Sequence, residues 1–110
     1  MAQTSAILEE LYGTIASRKG TDPDKSYTAK LFSRGRGKIA QKFGEEAVET
    51  VVAALSEGKE QLVAESADTL YHLLVLWAEC GIEPERVWQE LARRQGVSGI
   101  DEKKARTERG

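Results

Sequence analysis

Five carboxylates in two short clusters are the residues best suited to do chemistry. Glu45, Glu46 and Glu49 form Glu-Glu-x-x-Glu, and Glu65 and Asp68 form Glu-x-x-Asp. On a helix, about 100° of rotation per residue sets Glu46 about 100° from Glu45, with Glu49 between them at about 40°. Glu65 and Asp68 fall about 60° apart and one turn along, so they too share a face. Both clusters lie beside strongly apolar stretches, where a carboxylate is costly unless it is paired or bound to a metal. Two such faces turned towards each other suit a hard cation, Mg²⁺ or in its place Mn²⁺. Zinc is not expected, because the chain has one cysteine, Cys80, and one histidine, His72.

Four cations precede the first cluster: Arg34, Arg36, Lys38 and Lys42. Lys38 and Lys42 share the angular sector of Glu45 and Glu49, one and two turns earlier, where they would offset the charge of a polyphosphate bridged to the metal. The plainer reading pairs Lys42 with Glu46 four residues on and leaves the others as solubilising charge. Gly35-Arg36-Gly37-Lys38 lacks the spacing and the preceding strand of a phosphate loop, which excludes that motif. His72 falls in the Glu65/Asp68 sector and could orient a metal ligand or touch substrate; a buried histidine bonded for structural reasons is the competing reading. Tyr71 and Trp77 read as core or interface residues, and Cys80 as an inert helix-end residue.

The elements that must position these groups are helical. Strand-like alternation is nearly absent, and apolar residues recur at helical spacing. A first helix is expected from a Ser5 cap to about Arg18, with Ile7, Leu8, Leu11 and Ile15 on one stripe. Lys19–Asp24 reads as a loop, Tyr27–Ser33 as a short helix, and Arg34–Gly37 as a flexible basic hinge. Long helices follow over Lys38–Ser56, ended by a left-handed Gly58, and over Glu60–Glu79, closed by Cys80-Gly81. A further helix starts near Pro84 and carries Val87, Trp88 and Leu91. Leu73–Trp77 point in every direction around their helix, and Ala47, Val48, Val51, Val52, Ala54 and Leu55 cover half of theirs. One small subunit cannot cover that much apolar surface, so the all-α bundle is expected to be completed by homodimerisation or a larger assembly.

The 110 residues fit a single domain, 1–110, with a polar tail from about 97. Sixteen Lys and Arg against eighteen Asp and Glu give a net charge of −2, which argues against a general nucleic-acid or anionic-membrane binder. The start of the chain has no secretory pattern, and the longest strongly apolar run, Leu73–Ala78, is far too short to span a bilayer. A cytoplasmic protein is the expectation.

Four segments make the chain recognisable: Ser26–Phe32, Lys42–Glu49, Glu65–Leu74 and Ser98–Lys103. Together they resemble the phosphoribosyl-ATP pyrophosphohydrolase family over about Leu8 to Arg106. The acidic pattern by itself marks only the wider all-α nucleotide pyrophosphohydrolase superfamily with its MazG-like members; Ser-Tyr-Thr, Tyr-His-Leu-Leu and Ser-Gly-Ile point to this branch. The resemblance implies Mg²⁺-dependent conversion of phosphoribosyl-ATP to phosphoribosyl-AMP and pyrophosphate, the second step of histidine biosynthesis. It also implies a homo-oligomer whose helices pack into one bundle. Glu45, Glu46, Glu49, Glu65 and Asp68 would hold the metal, and one of Glu45, Glu46 and Glu49 would orient or deprotonate water. The alternatives are a MazG-like house-cleaning nucleoside triphosphate pyrophosphohydrolase and a non-enzymatic helical dimerisation module.

Overall fold

The computed structural model describes residues 3–95 together with 103, 106 and 107. Among them are five α-helices and no strand: α1 Ala6–Ser17, α2 Tyr27–Arg34, α3 Arg36–Ser56, α4 Lys59–Cys80 and α5 Pro84–Arg94. The Ser-Gly-Ile segment at 98–100, and the polar tail apart from 103, 106 and 107, lie outside the described residues. The fold is all-α, as the helical periodicity predicts, and no described helix is long and apolar enough to cross a membrane.

The long helices α3 and α4 form an antiparallel hairpin across the two-residue link Glu57-Gly58. Their register is read from two polar contacts: Thr50 reaches the Glu65 carbonyl at 3.1 Å, and Thr69 the Glu46 carbonyl at 3.0 Å. Four residues forward on α3 are thus four residues back on α4. The core lies towards the other end of α4, where Leu74 and Val75 pack with Ile15, Leu31, Phe32 and Ile39. Leu8, Leu11, Tyr12, Trp77 and Ala78 close around it. The Tyr12 hydroxyl donates to the Ile82 carbonyl at 2.9 Å, and the Trp88 indole N–H to Glu9 at 2.6 Å, so α1 is tied to the α4–α5 connection and to α5 itself.

Several local expectations are corrected. Ser5 has helical backbone angles and makes no side-chain cap; Thr4 Oγ1 instead accepts from the Ala6 amide at 3.3 Å. Ile7 is exposed, since the α1 stripe that meets the core runs through Leu8, Leu11 and Ile15. Gly58 is not left-handed: its φ is −86°, and with extended Glu57 it swings the chain back and begins α4 as its N-terminal cap. Gly81 does take the left-handed conformation at φ 71°, and the Ile82 amide bonds the Trp77 carbonyl at 2.9 Å to finish α4. The basic hinge contracts to one residue. Arg34 ends α2 and Arg36 already belongs to α3, with Gly35 alone between them. The apolar stripe of α3 is also open in the single chain: Val48, Val51, Val52 and Leu55 are exposed, and Ala53 is the buried aliphatic residue of that segment.

Gly35 has φ 90° and ψ 170°, a region that side-chain-bearing residues essentially do not occupy. A Cβ there would meet nothing within 4 Å, so the restriction is one of backbone, not of space. Gly35→Ala is therefore expected to cost about 1–3 kcal/mol in urea denaturation. Gly58→Ser, at an ordinary backbone position that favours a hydroxyl cap, is expected to be neutral or mildly stabilising in the same measurement.

Candidate active site

The hairpin brings carboxylates from both helices together. One oxygen each from Glu46, Glu49 and Glu65 lie within 4.8 Å of one another. Glu46 is buried, Glu65 half-buried and Glu49 exposed, so the group opens to solvent on the Glu49 side. The other two expected ligands lie outside this group. Glu45 is exposed, bonded by the Gln41 amide at 3.0 Å and 3.8 Å from Lys42 Nζ. Asp68 is exposed one turn beyond Glu65. A helical wheel fixes the direction of each side chain, and the hairpin register decides which directions converge.

Beneath the carboxylates, Thr50 and Thr69 hold the two backbones in place. Their hydroxyl oxygens are 2.7 Å apart; Thr50 also lies 2.9 Å from the Glu46 carbonyl and 3.1 Å from that of Glu65, and Thr69 lies 3.0 Å from that of Glu46. Two hydroxyl protons serve these contacts, and either sequence that runs through the Thr–Thr bond to the opposite helix makes two interhelical bonds. Sequence reasoning missed this pair. The signal was present, because Thr50 and Thr69 each follow a cluster glutamate by four residues, one turn along the same face.

Each carboxylate has different company. Lys42 Nζ lies 3.3 Å from Glu46, and that bond holds the ammonium above the usual lysine range. Gln61 Nε2 donates to Glu65 Oε1 at 2.8 Å, whereas Glu65 Oε2 is buried without any hydrogen-bond partner. Glu49 lies beside Glu46 and Glu65, and hydrogen bonding towards them together with their charge, Glu46 first, holds its carboxyl above the usual carboxylate range. A buried unpartnered oxygen, mutually repelling carboxylates and an all-oxygen donor set are what a hard divalent cation would satisfy.

A cleft of about 450 Å³ is lined by Tyr27, Arg34, Lys38, Gln41, Lys42 and Glu45 among others, and by none of the three converging carboxylates. Three of the four predicted phosphate cations thus share it. Arg36 is not among its lining residues; its guanidinium faces Glu79 at 4.0 Å, a carboxylate that Lys19 approaches at 3.7 Å. His72 is buried, and since a carbonyl only accepts, its Nδ1–H donates to Asp68 O at 2.8 Å. Nε2 is then the acceptor for the Tyr27 hydroxyl at 3.4 Å. Tyr27 stacks on Tyr71, whose own hydroxyl bonds Thr28. His72 therefore ties the α4 backbone to a wall of the cleft and makes no contact with the carboxylate trio.

The Glu49 proton carries a pH dependence. A carboxyl raised above its ordinary 4.5 contributes stability that is complete below that pH and is lost as pH rises through the elevated value. Without divalent cation, thermal melts should therefore show Glu49→Gln gaining on the parent as pH goes from 4.5 to neutrality. Mg²⁺ or Mn²⁺ should raise the parent's Tm more at neutral pH than at pH 4.5, because metal and proton compete for the same oxygens. A metal-induced shift independent of pH would contradict the raised Glu49 carboxyl.

Residues 8–95 match the family model described as phosphoribosyl-ATP pyrophosphohydrolase. A phosphoribosyl-ATP pyrophosphatase of Paramagnetospirillum magneticum is 83% identical over 99% of this chain and all of its own length. One from Rhodospirillum rubrum is 70% identical over 91% of this chain and 86% of its own, and one from Azospirillum brasilense 60% identical over 94% and 93%. With acidic hairpin, cationic cleft and sequence in agreement along nearly its whole length, the chain belongs to the phosphoribosyl-ATP pyrophosphohydrolase family.

Proposed function

We propose that this protein hydrolyses phosphoribosyl-ATP to phosphoribosyl-AMP and pyrophosphate, the second step of histidine biosynthesis, with Mg²⁺ bound at Glu46, Glu49 and Glu65. The observation that carries the reading is Glu65 Oε2, buried without a partner beside two other carboxylates, within a chain of this family. Glu45 and Asp68 flank the trio along the helices. When bound, the cation would neutralise phosphate oxygens and make water a better nucleophile.

The protein's own groups divide the remaining work. Lys42 pairs with Glu46, and Gln61 bonds one oxygen of Glu65 while the other stays buried without a partner. Glu49 has neither a lysine nor an amide on it and is open to solvent, and its carboxyl is held above the usual carboxylate range. As the solvent-facing member of the three, it is the carboxylate placed to orient the attacking water. Glu65→Gln keeps the shape and removes a charge, so helicity should be preserved while pyrophosphate release falls by roughly 10²–10³-fold, the loss expected from several kcal/mol of electrostatic stabilisation. Release from phosphoribosyl-ATP should exceed that from ATP, dATP and dUTP; equal rates would favour a house-cleaning activity.

The assembly is proposed to be a homodimer formed across the open α3–α4 face. Val48, Val51, Val52 and Leu55 recur at helical spacing, and Val63 and Leu70 add exposed apolar surface from α4. Light scattering at micromolar concentration should give at least twice the 12.1 kDa chain mass. Val51→Glu, at a position 56% exposed in the single chain, should shift the species to monomer. A monomeric parent would overturn the dimer.

A further inference from the structure

The acidic end of the hairpin is aligned by hydroxyls. Of the residues that α3 buries, Ile39 belongs to the core at the far end, Glu46 is itself one of the converging acids, and Ala53 offers a single methyl. Directional contacts to α4 come from Thr50 and Thr69, which lie 2.7 Å apart and reach the carbonyls of Glu65 at 3.1 Å and Glu46 at 3.0 Å. Those carbonyls belong to the residues that carry two of the three carboxylates, and Glu49, which carries the third, adjoins Thr50. Every backbone position from which the trio hangs is thus bonded by a threonine or next to one.

A carbonyl oxygen has two lone pairs, one used by the helical amide four residues on and one open to a hydroxyl. The threonines therefore add bonds without taking any from the helices, and their loss would leave both helices formed but free to part. Parting is the direction in which three like charges push. Their oxygens lie within 4.8 Å of one another, a spacing that side-chain rotation closes onto an ion only while the backbones stay in place. Hard cations differ in how much retreat they accept. Mg²⁺ takes oxygens at about 2.0–2.1 Å in near-octahedral order, whereas Ca²⁺ takes more of them, at about 2.3–2.6 Å, in flexible arrangements. Helices that move apart forfeit the smaller ion first.

Resting on the cation site proposed above, we infer that Thr50 and Thr69 are positioning residues that make the carboxylate trio select Mg²⁺ and Mn²⁺ over Ca²⁺. They act through Glu46, Glu49 and Glu65 and contribute no ligand of their own. Carboxylate oxygens suit all three ions by donor type, so the acids alone do not choose among them. The choice comes from the fixed separation of two backbones, which the threonine bonds hold against the repulsion of the acids.

The test uses the full chain with Thr50→Val and Thr69→Val, which keep the shape and remove the hydroxyl, and with Thr50→Ser and Thr69→Ser, which keep the hydroxyl. Thr14→Val, on exposed α1 surface where the hydroxyl bonds only its own helix, is the control. Mn²⁺ binding is followed by the electron paramagnetic resonance of the free ion, Mg²⁺ and Ca²⁺ are measured by competition, and far-ultraviolet dichroism checks helicity. Each Val variant should bind Mn²⁺ and Mg²⁺ about ten- to a hundredfold more weakly, the usual loss when a group that orients a metal ligand is removed. Ca²⁺ affinity should change far less, so the preference for Mn²⁺ over Ca²⁺ should drop about tenfold or more. The Ser variants should keep the parent's preference, and Thr14→Val should leave it unchanged. A merely structural role would lower the melting temperature and weaken all three ions alike, and that result overturns the inference; so does a preference unchanged in helical Val variants. Where valine disturbs folding, Thr50→Ala and Thr69→Ala, with better helix propensity, give the same reading. A parent that prefers Ca²⁺ overturns the inference alone, whereas a parent that binds none of the three ions overturns the cation site itself.

Discussion

The contact between Thr50 and Thr69 fixes the rest of the site. Carboxylates repel, and three of them within 4.8 Å would drive α3 and α4 apart if the helices met only through apolar side chains, which tolerate sliding. Hydroxyl-to-carbonyl bonds are directional and tolerate little. By joining the backbone at Glu46 to that at Glu65, the threonines set the register of the hairpin beneath the charges. Two interhelical hydrogen bonds contribute about 1–3 kcal/mol in all. Their effect on geometry is larger than that figure suggests, because a slip of one residue would rotate every carboxylate out of the shared space.

The stability of the molecule is accordingly uneven. The aliphatic core gathers around Ile15, Ile39, Leu74 and Val75 at one end of α4, while the carboxylates occupy the other half of the hairpin. There the helices carry buried Glu46, unpartnered Glu65 Oε2 and an apolar stripe open to solvent. Each of these is unfavourable in an isolated, metal-free chain. The proposed cation would relieve the carboxylates, and the proposed second subunit the stripe. Such a hairpin holds its site ready at the expense of local stability, the usual compromise at functional positions.

Helical periodicity made the five helices legible, since 3.6-residue repeats in long segments leave little choice of element. The errors fell at helix ends. Ser5, Gly58 and the Arg34–Gly37 hinge were read from residue type, whereas the actual boundaries depend on backbone angles set by what the next helix packs against. In the site, Glu46, Glu49 and Glu65 were recognisable because angular position is a local property. Which of five carboxylates converge was not, because that depends on hairpin register, a tertiary quantity held by threonines four residues beyond the acids. The pairing of Arg36 with Glu79 was equally invisible, since the partners are far apart in sequence and meet only through the packing of α2, α3 and α4.

The docking of α5 has a spectroscopic consequence. The chain has two tryptophans, and they meet edge to face, with Trp77 on α4 and Trp88 on α5 at a centroid distance of 5.9 Å. Trp88 is further fixed by its bond to Glu9 of α1. Indole emission, and the indole bands of the near-ultraviolet dichroism, thus sample one junction, away from the carboxylate end of the hairpin. Far-ultraviolet dichroism sums over all the helices. The two signals measure different parts of one small molecule, and a lag between them on denaturation would identify α1 and α5 as a clasp that opens before the hairpin comes apart.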